Sequence, residues 1–404
     1  PALNIHRNPL GGRNFEYYSE DPVVAGNITA AIVNGIESNG VGTSIKHFAA
    51  NNQETNRNTV NTIVSERALR EIYLKGFEIA VKKSQPWTVM SSYNLINGTY
   101  TSQEYDLLTT ILRKEWGFKG FVMTDWFGGK DPVAQMKAGN DLLMPGTQQQ
   151  SQAIVSAVQH DSLDVKVLDE NVERMLNVIL ESPAFKGYQF SDKPDLKKNA
   201  AIARMAAAEG MILLQNKGNA LPLGAKGQQI ALFGNNGYDL IAGGTGSGDV
   251  NKAYTVSLAQ GLATAGFTVD AALQGTYTNY LKEEKIKHPK KGFFEEFMHP
   301  TPPIAEFVAD EKLILQKASS AAIAIISIGR NAGEGSDRKQ PGDYYLNDTE
   351  MVMIQTVANA FHAQHKKVVV VLNTGGVVDV TQWRDVVDGI LMAWQPGLEG
   401  GNAI

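Results

Sequence analysis

The sequence contains no cysteine. Disulfide bonds, zinc-thiolate sites and thiol nucleophiles are therefore excluded, while the redox compartment stays open. A run of about 18 apolar residues is also missing, so we predict no membrane span. Neither sign of charge is in large excess, because the formal net charge is only -5 at pH 7. We therefore expect neither nucleic acid nor an anionic membrane as a partner, and neutral substrates fit better.

Length and composition indicate two soluble domains. The 404 residues are too many for one ordinary core, and 43% hydrophobic with 20% charged residues is typical of globular proteins. We predict a first domain at 1-183, a linker at 184-198 and a second domain at 199-404. The linker prediction rests on a stretch that contains glycine, proline and several lysines.

The two ends of the sequence do not resemble natural termini. Pro1 cannot be a natural start, and residues 1-5 look like a strand already under way. Residues 397-404 look like the opening of a helix. We therefore expect an internal fragment, with any signal peptide lying upstream.

Short apolar strands alternate with amphipathic helices over the first 180 or so residues. The predicted strands are 3-5, 42-48, 87-93, 121-124 and 141-144, and the predicted helices include 65-82 and 169-181. Such alternation predicts a parallel sheet with right-handed crossovers. Because roughly five or six units are visible where a full barrel has eight, we predict an incomplete (β/α)8 TIM-like barrel whose other strands precede Pro1.

The second domain repeats the alternation. We predict an opening helix at 200-214 and an open three-layer parallel α/β sheet. Its predicted strands are 230-233, 321-328, 368-372 and 389-394. The polar, proline-broken segment Leu281 to Pro303 is predicted to be an irregular surface excursion.

Asp125 is the first candidate for chemistry. It follows the apolar run 121-123 and precedes Gly128 and Gly129, which permit a tight turn. The sequence thus predicts a carboxylate at the carboxyl end of a buried strand, where barrel enzymes carry out their chemistry. The alternative is that Asp125 only caps the next helix.

Polar groups also follow the other predicted strands. Lys46 and His47 end one strand and are followed by several amide side chains. These are the hydrogen-bonding groups that a polyhydroxylated ligand needs. A lysine buried in a strand must meet a carboxylate or a ligand oxygen, so a structural ion pair is the alternative. Arg13 lies on a glycine-supported loop, where its planar fork could hold two hydroxyls. Met90 and Tyr93 end a further strand, although core packing is the ordinary explanation.

Two loops of the second domain stand out. Glu334 lies between glycines directly after a predicted strand, where it could reach outward or simply be solvated. The glycine-rich loop 243-248 suggests a phosphate cradle, but it lacks the Gly-Lys-Ser/Thr ending of a P-loop.

Five motifs together resemble glycoside hydrolase family 3, particularly its β-glucosidases, in the same order along the chain. They are Gly-Gly-Arg-Asn-Phe-Glu at 11-16, Lys-His-Phe-Ala-Ala-Asn-Asn-Gln-Glu at 46-54, Met-Thr-Asp-Trp at 123-126, Gly-Gly-Thr-Gly-Ser-Gly-Asp at 243-249 and Gly-Glu-Gly-Ser-Asp-Arg at 333-338. The resemblance implies a (β/α)8-like barrel followed by an (α/β)6 sandwich, with the active site in the cleft between them. Ala-Ala after Lys-His-Phe argues against the glucosaminidase branch of the family.

The resemblance also implies roles for single residues. Asp125 matches the catalytic nucleophile and Glu334 the acid/base. The residues that match substrate-binding positions are Arg13, Lys46, His47, Arg57, Met90, Tyr93, Trp126 and Ser247. A further family Asp that binds sugar hydroxyls has no counterpart, since its segment would precede Pro1.

We therefore predict a retaining, exo-acting β-glycosidase that releases glucose from β-glucosides and cello-oligosaccharides, with no metal or cofactor. Alternatives are a β-xylosidase or broad exo-glycosidase of the family, and a non-catalytic nucleotide- or sugar-binding α/β protein. A role in cellulose degradation fits the first prediction. The sequence leaves open whether a homo-oligomer forms and whether the protein is cytoplasmic, periplasmic or secreted.

Overall fold

The computed structural model describes residues 1-289, 291-292, 295 and 301-404. The chain divides into two compact units, Pro1–Asp192 and Lys193–Ile404. The division falls inside the predicted linker 184-198. Each unit has its own hydrophobic core and its own parallel sheet.

A parallel sheet of order β1-β3-β6 lies at the centre of the first unit. These strands are β1 (Ser44–Phe48), β3 (Thr88–Ser91) and β6 (Phe121–Thr124). Ala2 bridges to Lys46 on one side, and Leu142 bridges to Met123 on the other. The strand predicted at 141-144 is therefore reduced to a single parallel bridge, and in place of the strand predicted at 3-5 there is a single bridge at Ala2. A small second sheet consists of β2 (Asn61–Thr62), β4 (Leu95–Ile96) and β5 (Thr99–Tyr100).

Helices follow these strands, and polar caps fix where several of them begin. The α-helices of the first unit are α1 (Pro22–Glu37), α2 (Glu66–Ala68), α3 (Lys75–Ser84), α4 (Pro132–Ala138), α5 (Gln148–Gln159) and α6 (Val165–Glu181), with π-helical segments at Leu69–Tyr73 and Asp106–Glu115. Ser65 caps α2 as its hydroxyl accepts from the backbone of Ala68. The helix predicted at 65-82 is thus present, although a π-helical turn interrupts it.

A buried ion cluster ties β6 to the chain that follows it. Asp141 Oδ2 accepts hydrogen bonds from the backbone N–H of Val122 at 2.7 Å and from Arg113 at 2.6 Å. Its Oδ1 lies 2.7 Å from Arg174 Nη1. Burial raises the pKa of Asp141 and lowers the pKa of Arg113 to about 10. The strand that leads to Asp125 is therefore held by a buried carboxylate whose charge is compensated by two arginines, and removal of one partner would leave the others unpaired.

The second unit contains a sheet of order β7-β12-β11-β10-β8-β9. Its strands are β7 (Ile212–Asn216), β8 (Gln229–Phe233), β9 (Thr268–Val269), β10 (Ile323–Arg330), β11 (Val368–Thr374) and β12 (Gly389–Met392). All neighbours pair in parallel except β7, which runs antiparallel to β12 at the edge. The prediction of a helix through Leu214 is therefore wrong, because the helix ends at Gly210 and the chain turns back as a strand.

The helices of this unit also correct two predicted boundaries. They are α7 (Leu196–Gly210), α8 (Leu258–Thr264), α9 (Ala271–Lys287), α10 (Glu311–Ser320), α11 (Asp348–His362) and α12 (Gly400–Ala403). The first of them begins inside the predicted linker. The excursion predicted at 281-303 is wrong at its start, since α9 continues to Lys287. Part of that segment, at 290, 293-294 and 296-300, lies outside the described residues.

A half-buried carboxylate, Glu306, lies beyond the end of β8. Glu306 Oε1 accepts hydrogen bonds from the backbone N–H of Asn235 at 2.8 Å and of Phe307 at 3.1 Å. The ring of Phe307 packs edge-on against Tyr277 of α9. Burial raises the pKa of Glu306 to about 7, and Glu350 adds to the effect. Segment 305-307 thus covers the switch point of the sheet, the usual ligand crevice of open α/β folds.

Within the described residues, no helix has both the length and the hydropathy that a membrane crossing requires.

Candidate active site

Asp125 directly follows β6, at the carboxyl end of the parallel sheet of the first unit. Its backbone N–H donates to Ser91 O at the end of β3, at 3.1 Å. The residue is 7% exposed, and Oδ1 accepts the backbone N–H of Trp126 at 2.8 Å. Oδ2 lies 3.6 Å from His47 Nε2. The carboxylate is therefore anchored by its own turn and faces the end of β1.

His47 on β1 is almost completely buried, with 1% exposure. Its backbone N–H donates to Asn4 Oδ1 at 2.8 Å, and its carbonyl accepts from Asn4 Nδ2 at 2.9 Å. Burial lowers the pKa of His47 well below its usual value, and the positive charges of Arg13, Lys46 and Arg57 lower it further. The imidazole is therefore neutral at physiological pH.

Each cation near His47 contacts a carboxylate. Glu16 pairs with Arg13 through Nε and lies 3.4 Å from Lys46 Nζ. Arg57 Nη1 lies 2.9 Å from Glu54 Oε2. The sugar-binding candidates Arg13, Lys46 and Arg57 are thus donors held by carboxylates near His47.

Aromatic groups frame the same region. The guanidinium of Arg57 lies 4.6 Å from the ring centre of buried Tyr93, in a cation-π contact. Met90 on β3 is half-buried, and its backbone pairs with Met123. Trp126, beside Asp125, is 55% exposed and packs edge-on against Phe127. An exposed indole next to a carboxylate can offer an apolar platform to a sugar ring.

Glu334 lies in the second unit, on the loop that follows β10. Its Oε2 accepts the backbone N–H of Ser247 at 3.1 Å, and Thr245 forms a parallel bridge with Gly333. Gly246 has φ of 69°, and a Cβ there would meet Glu334 Cβ at 2.6 Å. The glycine-rich loop therefore directs a backbone donor to a carboxylate. This use argues against the phosphate cradle, whose donors would have to face an anionic ligand.

Sequence reasoning missed several side chains of this site. Glu16 and Glu54 stand within two of the five motifs, but no role was predicted for them. Asn4 and Tyr17 carry no motif, yet both contact His47. The i, i+3 spacing of Arg13 to Glu16 and of Glu54 to Arg57 was the available signal.

The described residues contain no group of three histidine, aspartate or glutamate side chains arranged to hold a metal ion.

Both units are α/β folds, and each has a carboxylate on the chain that follows a parallel strand. This is the position of active sites in α/β enzymes. Residues 1–178 match the glycosyl hydrolase family 3 N terminal domain, and residues 211–404 match the family's C-terminal domain. The chain belongs to glycosyl hydrolase family 3. The resemblance found in the five motifs is thereby confirmed at the level of the family.

Named relatives agree with this assignment. The chain is 36% identical over 415 residues to the exo-alpha-(1->6)-L-arabinopyranosidase of Bifidobacterium longum, and 36% identical over 408 residues to thermostable beta-glucosidase B of Acetivibrio thermocellus. Each alignment covers 100% of this chain and 50% of the relative. The chain thus spans about half the length of these curated relatives.

A solved structure gives the same result for the fold. Beta-glucosidase 3B from Thermotoga neapolitana, in complex with glucose, is 50% identical with a TM-score of 0.95. The match covers 100% of this chain and 57% of that chain. The predicted fold class, a barrel-like domain followed by an α/β sheet domain, is confirmed.

Proposed function

We propose that this chain carries the catalytic residues of a retaining, exo-acting β-glucosidase. Its substrates are β-glucosides and cello-oligosaccharides, from whose non-reducing end it releases glucose. The observation that carries the proposal is Asp125, anchored at the carboxyl end of β6 by the Trp126 N–H and facing buried, neutral His47. The beta-glucosidase names of two relatives support the choice of sugar.

In the proposed mechanism Asp125 is the nucleophile. Its carboxylate attacks the anomeric carbon while the bond to the leaving oxygen breaks, which gives a covalent glycosyl-enzyme. A carboxylate that is already held in place loses little freedom on reacting, so part of the barrier is offset by positioning.

Glu334 is the proposed acid/base. It gives its proton to the leaving oxygen in the first step and takes a proton from water in the second, so charge and protons balance over the cycle. The Ser247 N–H at 3.1 Å fixes the direction of its carboxyl group. Neither step requires a metal or an organic cofactor.

The cations and amides beside Asp125 are the proposed sugar clamp. Arg13, Lys46 and Arg57 donate to hydroxyl oxygens, and their own carboxylate partners hold them in place. Met90, Tyr93 and Trp126 form apolar walls against the faces of the ring, and Ser247 of the second unit is a further ligand contact. Neutral, hydroxyl-rich sugars match this set of groups.

An α-L-arabinopyranosidase is the second candidate, because a relative at 36% identity bears that name. Its substrate lacks the exocyclic carbon of glucose, as does the xyloside of a β-xylosidase. Only the walls of the subsite distinguish these sugars, since the catalytic pair is common to all. Initial rates on nitrophenyl β-glucoside, β-xyloside and α-L-arabinopyranoside identify the preferred one.

Replacement of the nucleophile tests the mechanism. Asp125→Ala should lower kcat by at least about 1000-fold, because the covalent route is lost. Azide should partly restore cleavage of an activated glucoside and yield the α-glycosyl azide. The matched control is Asp131→Ala, which removes a nearby exposed carboxylate that caps α4. Turnover like that of the unaltered protein in Asp125→Ala would refute the assignment.

A further inference from the structure

The two ring nitrogens of His47 face different groups. Nδ1 lies 3.4 Å from the hydroxyl oxygen of Tyr17, which is itself fully buried. Nε2 lies 3.6 Å from Asp125 Oδ2. The proton of a neutral imidazole can occupy only one of these nitrogens, and its partners decide which one.

Tyr17 has already committed its own proton. Its hydroxyl donates to the backbone carbonyl of Asn51 at 3.1 Å, and a carbonyl oxygen can only accept. The Asn51 side chain donates back to the same hydroxyl through Nδ2 at 3.2 Å. The Tyr17 hydroxyl can therefore only accept a hydrogen bond from His47, and this requires a proton on Nδ1.

The distance on the other side of the ring agrees. A separation of 3.6 Å between Nε2 and Asp125 Oδ2 is longer than a hydrogen bond between these atom types. Two acceptors that face each other are expected to stand apart in this way. Burial and the surrounding cations hold the pKa of His47 well below its usual value, so a second ring proton is not available.

We propose that Tyr17, oriented by Asn51, fixes His47 as the Nδ1-protonated tautomer, which leaves Nε2 as an acceptor for a hydroxyl of the glycosyl unit. Tyr17 is thus a positioning residue. The tautomer stands on the geometry alone, whereas the role of the hydroxyl rests on the proposed function. One consequence is that the His47 ring does not donate a hydrogen bond to Asp125 Oδ2.

Nitrogen NMR of the free protein tests the tautomer without any substrate. In ¹⁵N-labelled protein at neutral pH, chemical shifts and long-range ¹H couplings identify which ring nitrogen carries the proton. The sequence has seven histidines, and the His47 signals are those missing from the His47→Gln spectrum. We expect a protonated Nδ1 and a bare Nε2. A proton on Nε2, or on both nitrogens, would overturn the proposal.

Tyr17→Phe removes the acceptor of Nδ1 and should move the proton to Nε2, where it meets Asp125. The carboxylate then gains a hydrogen bond, so the acidic limb of the kcat/KM profile should shift to lower pH. The control is Tyr18→Phe, because Tyr18 is half-buried beside Tyr17 and makes no hydrogen bond to His47. A Tyr17→Phe variant that folds and keeps a protonated Nδ1 would refute the positioning role. If the variant does not fold, the spectrum of the unaltered protein decides.

Glucose analogues test the hydroxyl that Nε2 accepts. At one ring position, replacing hydroxyl by hydrogen should weaken competitive inhibition roughly tenfold, and fluorine should give no recovery because it cannot donate. Recovery by fluorine at every sensitive position would show that the site only donates and would overturn this part. If the protein has the expected tautomer but does not hydrolyse glycosides, the proposed function is refuted and the proposed tautomer stands.

Discussion

Replacing Glu306 by glutamine should make the second unit more stable at alkaline pH. The side chain accepts the backbone N–H of Asn235, just after β8, and that of its own neighbour Phe307, and burial raises its pKa from the ordinary 4.5 to about 7. The folded state therefore holds a proton that the unfolded state has already lost. Stability from this group is complete below about pH 4.5 and is lost as the pH rises through about 7.

The pKa values fix the size of the effect. A difference of about 2.5 pH units corresponds to at most about 3.4 kcal/mol, reached above pH 7. The pKa of about 7 already includes the opposing effects of Arg330 and the two N–H groups, so we expect about 3 kcal/mol at alkaline pH. Glutamine keeps an acceptor oxygen for both N–H groups but cannot ionise.

Urea unfolding of both proteins at about pH 5 and about pH 8 measures the difference. The curves should nearly coincide at the lower pH, and Glu306→Gln should unfold at higher urea at the upper one. The matched control is Glu283→Gln, an exposed carboxylate on α9, which should show no such change. If Glu306→Gln is the less stable protein at about pH 8, the ionised carboxylate is worth more to its N–H partners than its burial costs, and our reasoning fails.

Two further predictions concern groups that hold the proposed catalytic residues or the strand before them. Asp141→Asn should lower the free energy of unfolding by about 3 kcal/mol or more, because Arg113 and Arg174 lose the anion that they share; a loss under about 1 kcal/mol in urea unfolding would mean that solvent reaches both arginines. Ser247→Ala keeps the backbone N–H that donates to Glu334, whereas Ser247→Pro removes it. Only the proline variant should therefore shift the basic limb of the kcat/KM profile to higher pH, because the carboxylate loses a donor. Equal profiles for the two variants would show that this hydrogen bond does not control the pKa of Glu334.

Strand positions could be predicted well where the sequence contains a short run of apolar residues. The strand predicted at 121-124 coincides with β6, and those at 230-233 and 368-372 lie within β8 and β11. Residues 211-214 were assigned to a helix since alanine-rich sequence precedes them without a proline. Whether such a segment continues a helix or pairs with β12 depends on a partner more than 170 residues away.

The predicted candidates in the first unit were found because strand ends converge at one edge of a parallel sheet. Arg13, Lys46, His47 and Asp125 lie on loops or strands that this rule connects. Their partners could not be predicted in the same way. The contact of Tyr17 with Asn51, for example, depends on the exact path of two loops, and no periodicity encodes it.

The described ion pairs around His47 contain three cationic side chains and three carboxylates. The ionic side chains described there are Arg13, Lys46, Arg57, Glu16, Glu54 and Asp125. A uronic acid or an amino sugar would bring one more ion into surroundings that already have equal numbers of each sign. An additional buried charge without a counter-ion costs several kcal/mol, far more than one hydroxyl contact returns. If these residues bind the glycosyl unit as proposed, a sugar with an ionic group is therefore expected to bind to them more weakly than a neutral sugar.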